Sequence, residues 1–170
     1  GAREQVPVYV TRKSHKNDVD PLVSVSEEKF EQMVVSGEVI AHTVMSSDGH
    51  TYRKGYRKKD IDVVWSRGKL PIVVTDVRLL EGLASKLGRR AILSCGLLPP
   101  GQSRRHMLSA LLHRLRHRGQ HTDVQIQERL ERAEVELRAF KTHPDLFDHV
   151  LVNDKLETCL ENIRDIVRPA

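Results

Sequence analysis

The sequence predicts an α/β fold with a mainly parallel central sheet, and two observations predict it. Short β-branched segments alternate with segments of helical periodicity along the whole chain. Two apolar segments, "KLPIVVTDV" and "RRAILSC", run nearly uninterrupted, as strands buried on both faces of a parallel sheet do. The chain has 170 residues, 39% hydrophobic and 30% charged, which is enough to core one domain over 1–170. No repeat, linker or low-complexity tract divides it.

Taken in order, "QVPVYVT" at 5–11 is short and β-branched and reads as a strand. In "SEEKFEQMVVSGE" the residues Phe30, Met33 and Val34 recur at helical spacing, with Ser26 as N-cap and Gly37 just past the end. "EVIAHTVM" and "HTYRK" flank an Asp-Gly pair and predict a hairpin. "DIDVVWSRG" predicts a helix with Ile61, Val64 and Trp65 on one face, ended by Gly68. The strand "KLPIVVTDV", a helix over 78–87 ending at Gly88, and the strand "RRAILSC" follow. Residues 103–117 place Met107, Leu108, Leu111, Leu112 and Leu115 on one stripe of a helix with a basic opposite face. Thr122 and Gln125 form a capping-box pair before a long charged helix to about Phe140. "FDHVLVN" is the last strand, and a closing helix turns Leu156, Leu160, Ile163 and Ile166 or Val167 inward.

The formal net charge is +5, concentrated in "YRKGYRKK" at 52–59, at 89–90 and at 104–118. Such clusters suit nucleic acid or small phosphates, and equally a solvated basic face. An aromatic content of 4% argues against base-stacking surfaces. No apolar run reaches bilayer length, so no membrane insertion is expected. Cys95 and Cys159 have no ligand spacing, which predicts core thiols in a reducing, intracellular compartment.

Three motifs fail on chemistry. "GLLPPGQS", Gly96 to Ser103, partly matches a phosphate loop, but Pro99 and Pro100 have no N–H to donate and Gln102 stands where a lysine is required. His113 and His117 lie four apart, with no third metal ligand placed by the sequence. No G-x-S-x-G elbow supports a hydrolase triad. The arginines of "LRHRGQHTDVQIQERLERAE" are different, because Arg116, Arg118, Arg129 and Arg132 cluster about one interhelical turn. Guanidinium forks suit phosphoryl oxygens, and a salt-bridged surface with Glu128, Glu131 and Glu134 fits the same composition.

The order of "TRK", "SVSEEKFEQMVVSGEVIAH", "KLPIVVTDV", "AILSCGLLPP", the arginine-rich turn and "LFDHVLVNDKLETCLENI" resembles the guanylate kinase family from about Val8 to Val167. The "RG…RL" lid and the ending with Phe147, Asp148, Asn153, Asp154 and Leu156 carry the resemblance most specifically. It implies a P-loop-kinase-like three-layer fold, with a monophosphate-binding-like subdomain over 12–56 and a lid with its flanking helices over 103–142. It implies that Arg118 and Arg129 sit on a mobile lid, and that Arg12, Tyr52 and Asp76 belong to a monophosphate or anion site. In such an enzyme arginines, a lysine and magnesium align the γ-phosphoryl group with GMP and disperse its charge.

Departures from the family pattern qualify the function. The chain opens on what reads as the second strand, so the ATP phosphate cradle is expected to be absent. His15 replaces a second arginine, Leu22 a tyrosine and Ala41 a base-reading glutamate. The hairpin is long, so the next phosphate-binding tyrosine is Tyr52 or is lost to Lys54; Val74 replaces one of two acids, and Asp76 is the other. Each ligand group left unpaired costs about 1–3 kcal/mol. The expectation is a guanylate-kinase-like domain without catalytic residues, metal or cofactor, acting as a protein-interaction or structural module of a larger assembly. GMP or a phosphopeptide would occupy the cleft. The alternative is an active nucleoside monophosphate kinase using Mg-ATP on GMP or a related phosphate acceptor, its phosphate loop supplied from outside this chain. A further alternative is a basic component of a ribonucleoprotein that meets nucleic acid.

Overall fold

Pro7 breaks the first apolar run in the computed structural model, which describes residues 2–168. The single strand expected over 5–11 is two strands, β1 (Arg3–Gln5) and β2 (Val8–Val10). Proline offers no N–H to a ladder, and the chain changes sheets there: Val6 N–H donates to Ile72 O, whereas Val8 N–H donates to Pro21 O. By Cα packing the chain forms two compact units, one ending at Ala91 and the other beginning at Ile92, and they are described in turn.

In the N-terminal unit β2 pairs in parallel with β3 (Leu22–Ser24) and antiparallel with β5 (His50–Arg57), which pairs with β4 (Val39–Ser47). The resulting sheet has the order β3-β2-β5-β4. The predicted hairpin is present. Asp48 at φ 52° and Gly49 at φ 73° make the two left-handed positions that match the strands' twist. Helix α1 (Glu27–Val35) starts where Ser26 Oγ accepts from Lys29 N–H. It lays Phe30 and Met33 against Tyr9 and Val39, the unit's buried cluster.

Helix α2 (Lys58–Ser66) buries Ile61 and Val64, but Trp65, expected on the same face, is 54% exposed. At about 100° per residue Trp65 lies about 40° from Ile61 but about 100° from Val64, so it falls at the edge of the buried stripe and faces solvent. Strand β6 (Leu70–Ile72) pairs in parallel with β1 and is shorter than "KLPIVVTDV" predicts. The rest of that run leads into α3 (Val77–Leu87), whose N-cap is Asp76, and Val74 is exposed.

The expected strand "RRAILSC" begins later: Arg89–Ala91 is a 3-10 turn at the end of the N-terminal unit. In the C-terminal unit β7 (Cys95–Leu98) pairs in parallel with β8 (His149–Val152). The runs "KLPIVVTDV" and "RRAILSC", read as neighbours in one parallel sheet, thus belong to separate parallel pairs, β1–β6 in the N-terminal unit and β7–β8 in the C-terminal unit. Helix α4 (Arg104–Arg118) ends at Gly119 in the left-handed conformation, and α5 (Asp123–Thr142) opens with the predicted Thr122–Gln125 capping box. On α4 only Leu115 of the predicted stripe is fully buried.

Helix α6 (Leu156–Ile166) is rotated from the expected face. Cys159 is buried, while Leu156 and Leu160 are exposed, so the inward stripe runs through Cys159, Ile163 and Ile166. Cys95 is half-buried, and both thiols are free. Gly96 on β7 lies under the stacked rings of Phe140 and Phe147, whose centroids are 4.3 Å apart; a Cβ there would meet Phe140 Cε1 at 2.3 Å. Gly96→Ala therefore overpacks this junction and should lower stability by about 1–3 kcal/mol, measured by urea unfolding.

Candidate anion-binding site

Strand β5 distributes the basic run by alternation. Tyr52, Lys54 and Tyr56 project to one face of the sheet, and Arg53 and Arg57 to the other, because successive strand side chains point oppositely. On the first face the guanidinium of Arg12 lies 5.1 Å from the Tyr52 ring centroid, a cation–π contact. Tyr56 is buried there and donates its hydroxyl to Val74 O at 3.1 Å; burial pushes its phenol pKa up. Lys54 Nζ sits 3.2 Å from Asp76 Oδ2, while Asp76 Oδ1 accepts from Leu79 N–H at the start of α3. The structure therefore brings Arg12 and Tyr52 into direct contact and links Asp76 to the same strand face through Lys54.

Arg12 is already engaged. Its Nη2 donates to Asp18 Oδ1 at 2.7 Å and its Nη1 to Asp18 Oδ2 at 3.1 Å, a two-pronged fork. The backbone N–H of His15 donates to Asp18 Oδ2 at 2.6 Å. The bond from Arg12 is the main reason the Asp18 carboxyl is held below its ordinary value, and the same bond raises Arg12. His15, at the position where the resemblance expects another arginine, is exposed and contributes this backbone amide.

On the opposite face of β5 Arg53 and Arg57 are paired as well. Arg53 pairs with Glu31 and lies 4.7 Å from the Phe30 ring centroid. Arg57 pairs with Glu38 at 3.0 Å and Asp60 at 2.8 Å and lies 4.5 Å from the Tyr9 ring centroid. Its bond to Asp60 is the first cause of its raised pKa. Lys58 pairs with Asp62 one turn along α2. The cluster that reads as a basic patch in sequence is largely a set of internal ion pairs.

Arg118 and Arg129 belong to the C-terminal unit, at the end of α4 and in the second turn of α5. His121 in the connecting turn has its pKa lowered, first by burial and then by the charges of Arg129 and Arg118. Both arginines thus act on the turn between the helices, as the clustering in sequence implies. His113 and His117 stack with centroids 6.2 Å apart, and among the described residues no group of three or more metal-ligating side chains occurs. "GLLPPGQS" contributes the end of β7 and a turn, and Ser103 Oγ caps α4 by accepting from His106 N–H.

Sequence reasoning did not identify Asp18 or Arg114 as site-shaping residues. Arg114 on α4 donates to the carbonyls of Asn153 at 2.6 Å and Asp154 at 3.0 Å, clasping the loop before α6. Nothing local marks either pairing. Asp18 meets Arg12 across an irregular loop, and Arg114 meets its acceptors across roughly forty residues of chain.

No protein-family model matches the chain. It is 32% identical over 164 residues to guanylate kinase 1 of Oryza sativa subsp. japonica, covering 94% of this chain and 39% of the rice protein. It is 31% identical over 142 residues to guanylate kinase of Chlamydia felis, covering 84% of this chain and 61% of the relative. The crystal structure of guanylate kinase from Anaplasma phagocytophilum superposes with a TM-score of 0.67 at 21% identity, covering 97% of this chain and 74% of that one.

The chain is guanylate-kinase-like. Its α/β fold is that of the guanylate kinase structure, as the order of segments implies. The guanylate-kinase-like chain spans well under the full length of these relatives, 39% of one and 61% of the other.

Two titrations check the site. Asp18 has a depressed folded-state pKa, so the stability it adds is present above the unfolded carboxyl value of about 3.9 and is lost as pH falls through the folded value. Asp18→Asn should therefore lower stability at neutral pH, and its deficit should shrink as pH falls below the unfolded carboxyl value and vanish once pH is below the folded one, in denaturant unfolding followed against pH. Arg129→Gln removes a positive neighbour, so the imidazolium of His121 becomes easier to form and its pKa should rise, read from ring proton shifts in NMR.

Proposed function

We propose that this guanylate-kinase-like domain does not itself transfer phosphate and serves as an interaction or structural module within a larger assembly. One observation carries the reading: the arginine that the resemblance places on the acceptor phosphate is forked by the chain's own Asp18. Two further features support it. Lys54 is paired with Asp76, and the Ala41 position, where the resemblance expects a base-reading carboxylate, presents only a buried methyl group.

An active kinase is the competing reading, and the names of the relatives favour it: the rice and chlamydial proteins are guanylate kinases. In that case GMP would take the place of Asp18 on Arg12, and Mg-ATP would be held by a phosphate cradle outside the residues of this chain. The internal pairing of Arg53, Arg57 and Lys58 weighs against a ribonucleoprotein role, because cations already neutralised release few counterions on binding RNA.

The full-length parent protein, assayed for ADP formation from Mg-ATP with GMP, separates the two readings. We expect no turnover above background, against the roughly 1–100 per second usual for kinases. Turnover that depends on GMP overturns the module reading. In parallel, saturating Mg-ATP should leave the melting temperature of this chain unchanged, whereas a ligand at about 100 times its Kd adds about 2.7 kcal/mol of stability.

A further inference from the structure

We infer that Asp18 is a built-in occupant of an oxyanion site, and that a small phosphate monoester binds this domain by displacing the Asp18 carboxylate from Arg12. The inference rests on reading Arg12 as the phosphate-facing residue of the site proposed above; it does not require that the domain be inactive.

Three N–H donors converge on one carboxylate. Arg12 supplies Nη1 and Nη2 at 3.1 and 2.7 Å, and His15 supplies its backbone amide at 2.6 Å. Arg12 Nη1 also donates to Lys13 O at 3.0 Å, which fixes the tilt of the fork, and the ring of Tyr52 lies beside the guanidinium. A planar fork with an adjacent backbone N–H is the donor set that recognises phosphoryl oxygens as readily as carboxylate oxygens. The site is therefore assembled in the free chain, with an internal anion holding the ligand position.

The occupant is of a kind that a ligand can replace. Asp18 and Arg12 side chains retain 20% and 22% of their accessible surface, so the pair is reached by solvent. Asp18 lies in the irregular stretch between β2 and β3, where its own N–H donates to His15 O in a turn. A phosphate monoester carries close to two negative charges at neutral pH and three acceptor oxygens, against one charge and two oxygens for the carboxylate. Release of Asp18 exposes it to water at the rim, so exchange leaves no buried charge unpaired.

An internal competitor lowers apparent affinity by the fraction of molecules in which the arginine is free. Inorganic phosphate and GMP are titrated in parallel into the wild-type chain and into Asp18→Asn, following the Arg12 side-chain N–H resonance and heat of binding. Asp18→Asn should bind both ligands about tenfold more tightly. Arg12→Gln placed on Asp18→Asn should abolish the gain. Asp20→Asn is the charge control, since Asp20 accepts from Gln5 Nε2 in this structure; it should leave affinity unchanged.

Equal affinity of wild type and Asp18→Asn overturns the inference, as does an equal gain in Asp20→Asn, a gain that survives loss of Arg12, or a gain for GMP alone. Asp18→Ser, checked by melting for an intact fold, repeats the test should the asparagine variant perturb the loop. Turnover by the parent protein would overturn the module reading while leaving the Asp18→Asn gain in place, so the two failures are distinguishable.

Discussion

The register of β5 is the constraint on which the rest of the N-terminal unit depends. Its alternation sends one set of side chains to the core under α1 and the other to Arg12, Val74 and Asp76. A slip by one residue would exchange the two sets, placing Lys54 against Phe30 and turning Arg53 toward Arg12 and Asp76. Two local features fix the register. The Asp48-Gly49 turn sets the pairing at one end, and Gly55 sets it near the other, because a Cβ at Gly55 would come within 2.6 Å of Ala41 O. No neighbouring position offers a second glycine to take its place.

Three of the chain's seven aromatic residues work as platforms for arginines. Arg12 lies by Tyr52, Arg53 by Phe30 and Arg57 by Tyr9, and each of these arginines also holds a carboxylate. Stacking on a ring orients the fork without satisfying its N–H groups, so the edge remains available to an anion. At Arg53 and Arg57 the anion comes from α1, from the α1–β4 turn or from α2, within the regular framework of the unit. At Arg12 it comes from an irregular loop. That difference separates two arginines that fasten the fold from one whose partner is free to be exchanged.

Local chemistry was legible in the sequence and long-range pairing was not. Ser26, Thr122 with Gln125, and Asp48-Gly49 were read directly, because caps and tight turns depend on side chains a few residues apart. The strands were read too long. Apolar runs such as "KLPIVVTDV" satisfy a strand pattern, but ladder length is set by the partner, and β6 has only three residues of β1 to pair with. The inward face of α6 was misplaced because Cys159 was outranked by leucines of greater hydrophobicity. Among the candidate site residues, Arg12, Asp76, Arg118 and Arg129 came from the order of segments. Asp18 did not, since a loop carboxylate six residues from an arginine has no sequence signature.

Arg114 ties together two parts of the C-terminal unit that lie far apart in sequence. Its guanidinium spans the carbonyls of Asn153 and Asp154, so α4 and the loop that starts α6 share one rigid link. Those carbonyls cannot move away from α4 without losing two charge-assisted hydrogen bonds. One guanidinium holding both carbonyls therefore ties the position of the Asn153–Asp154 turn to that of α4.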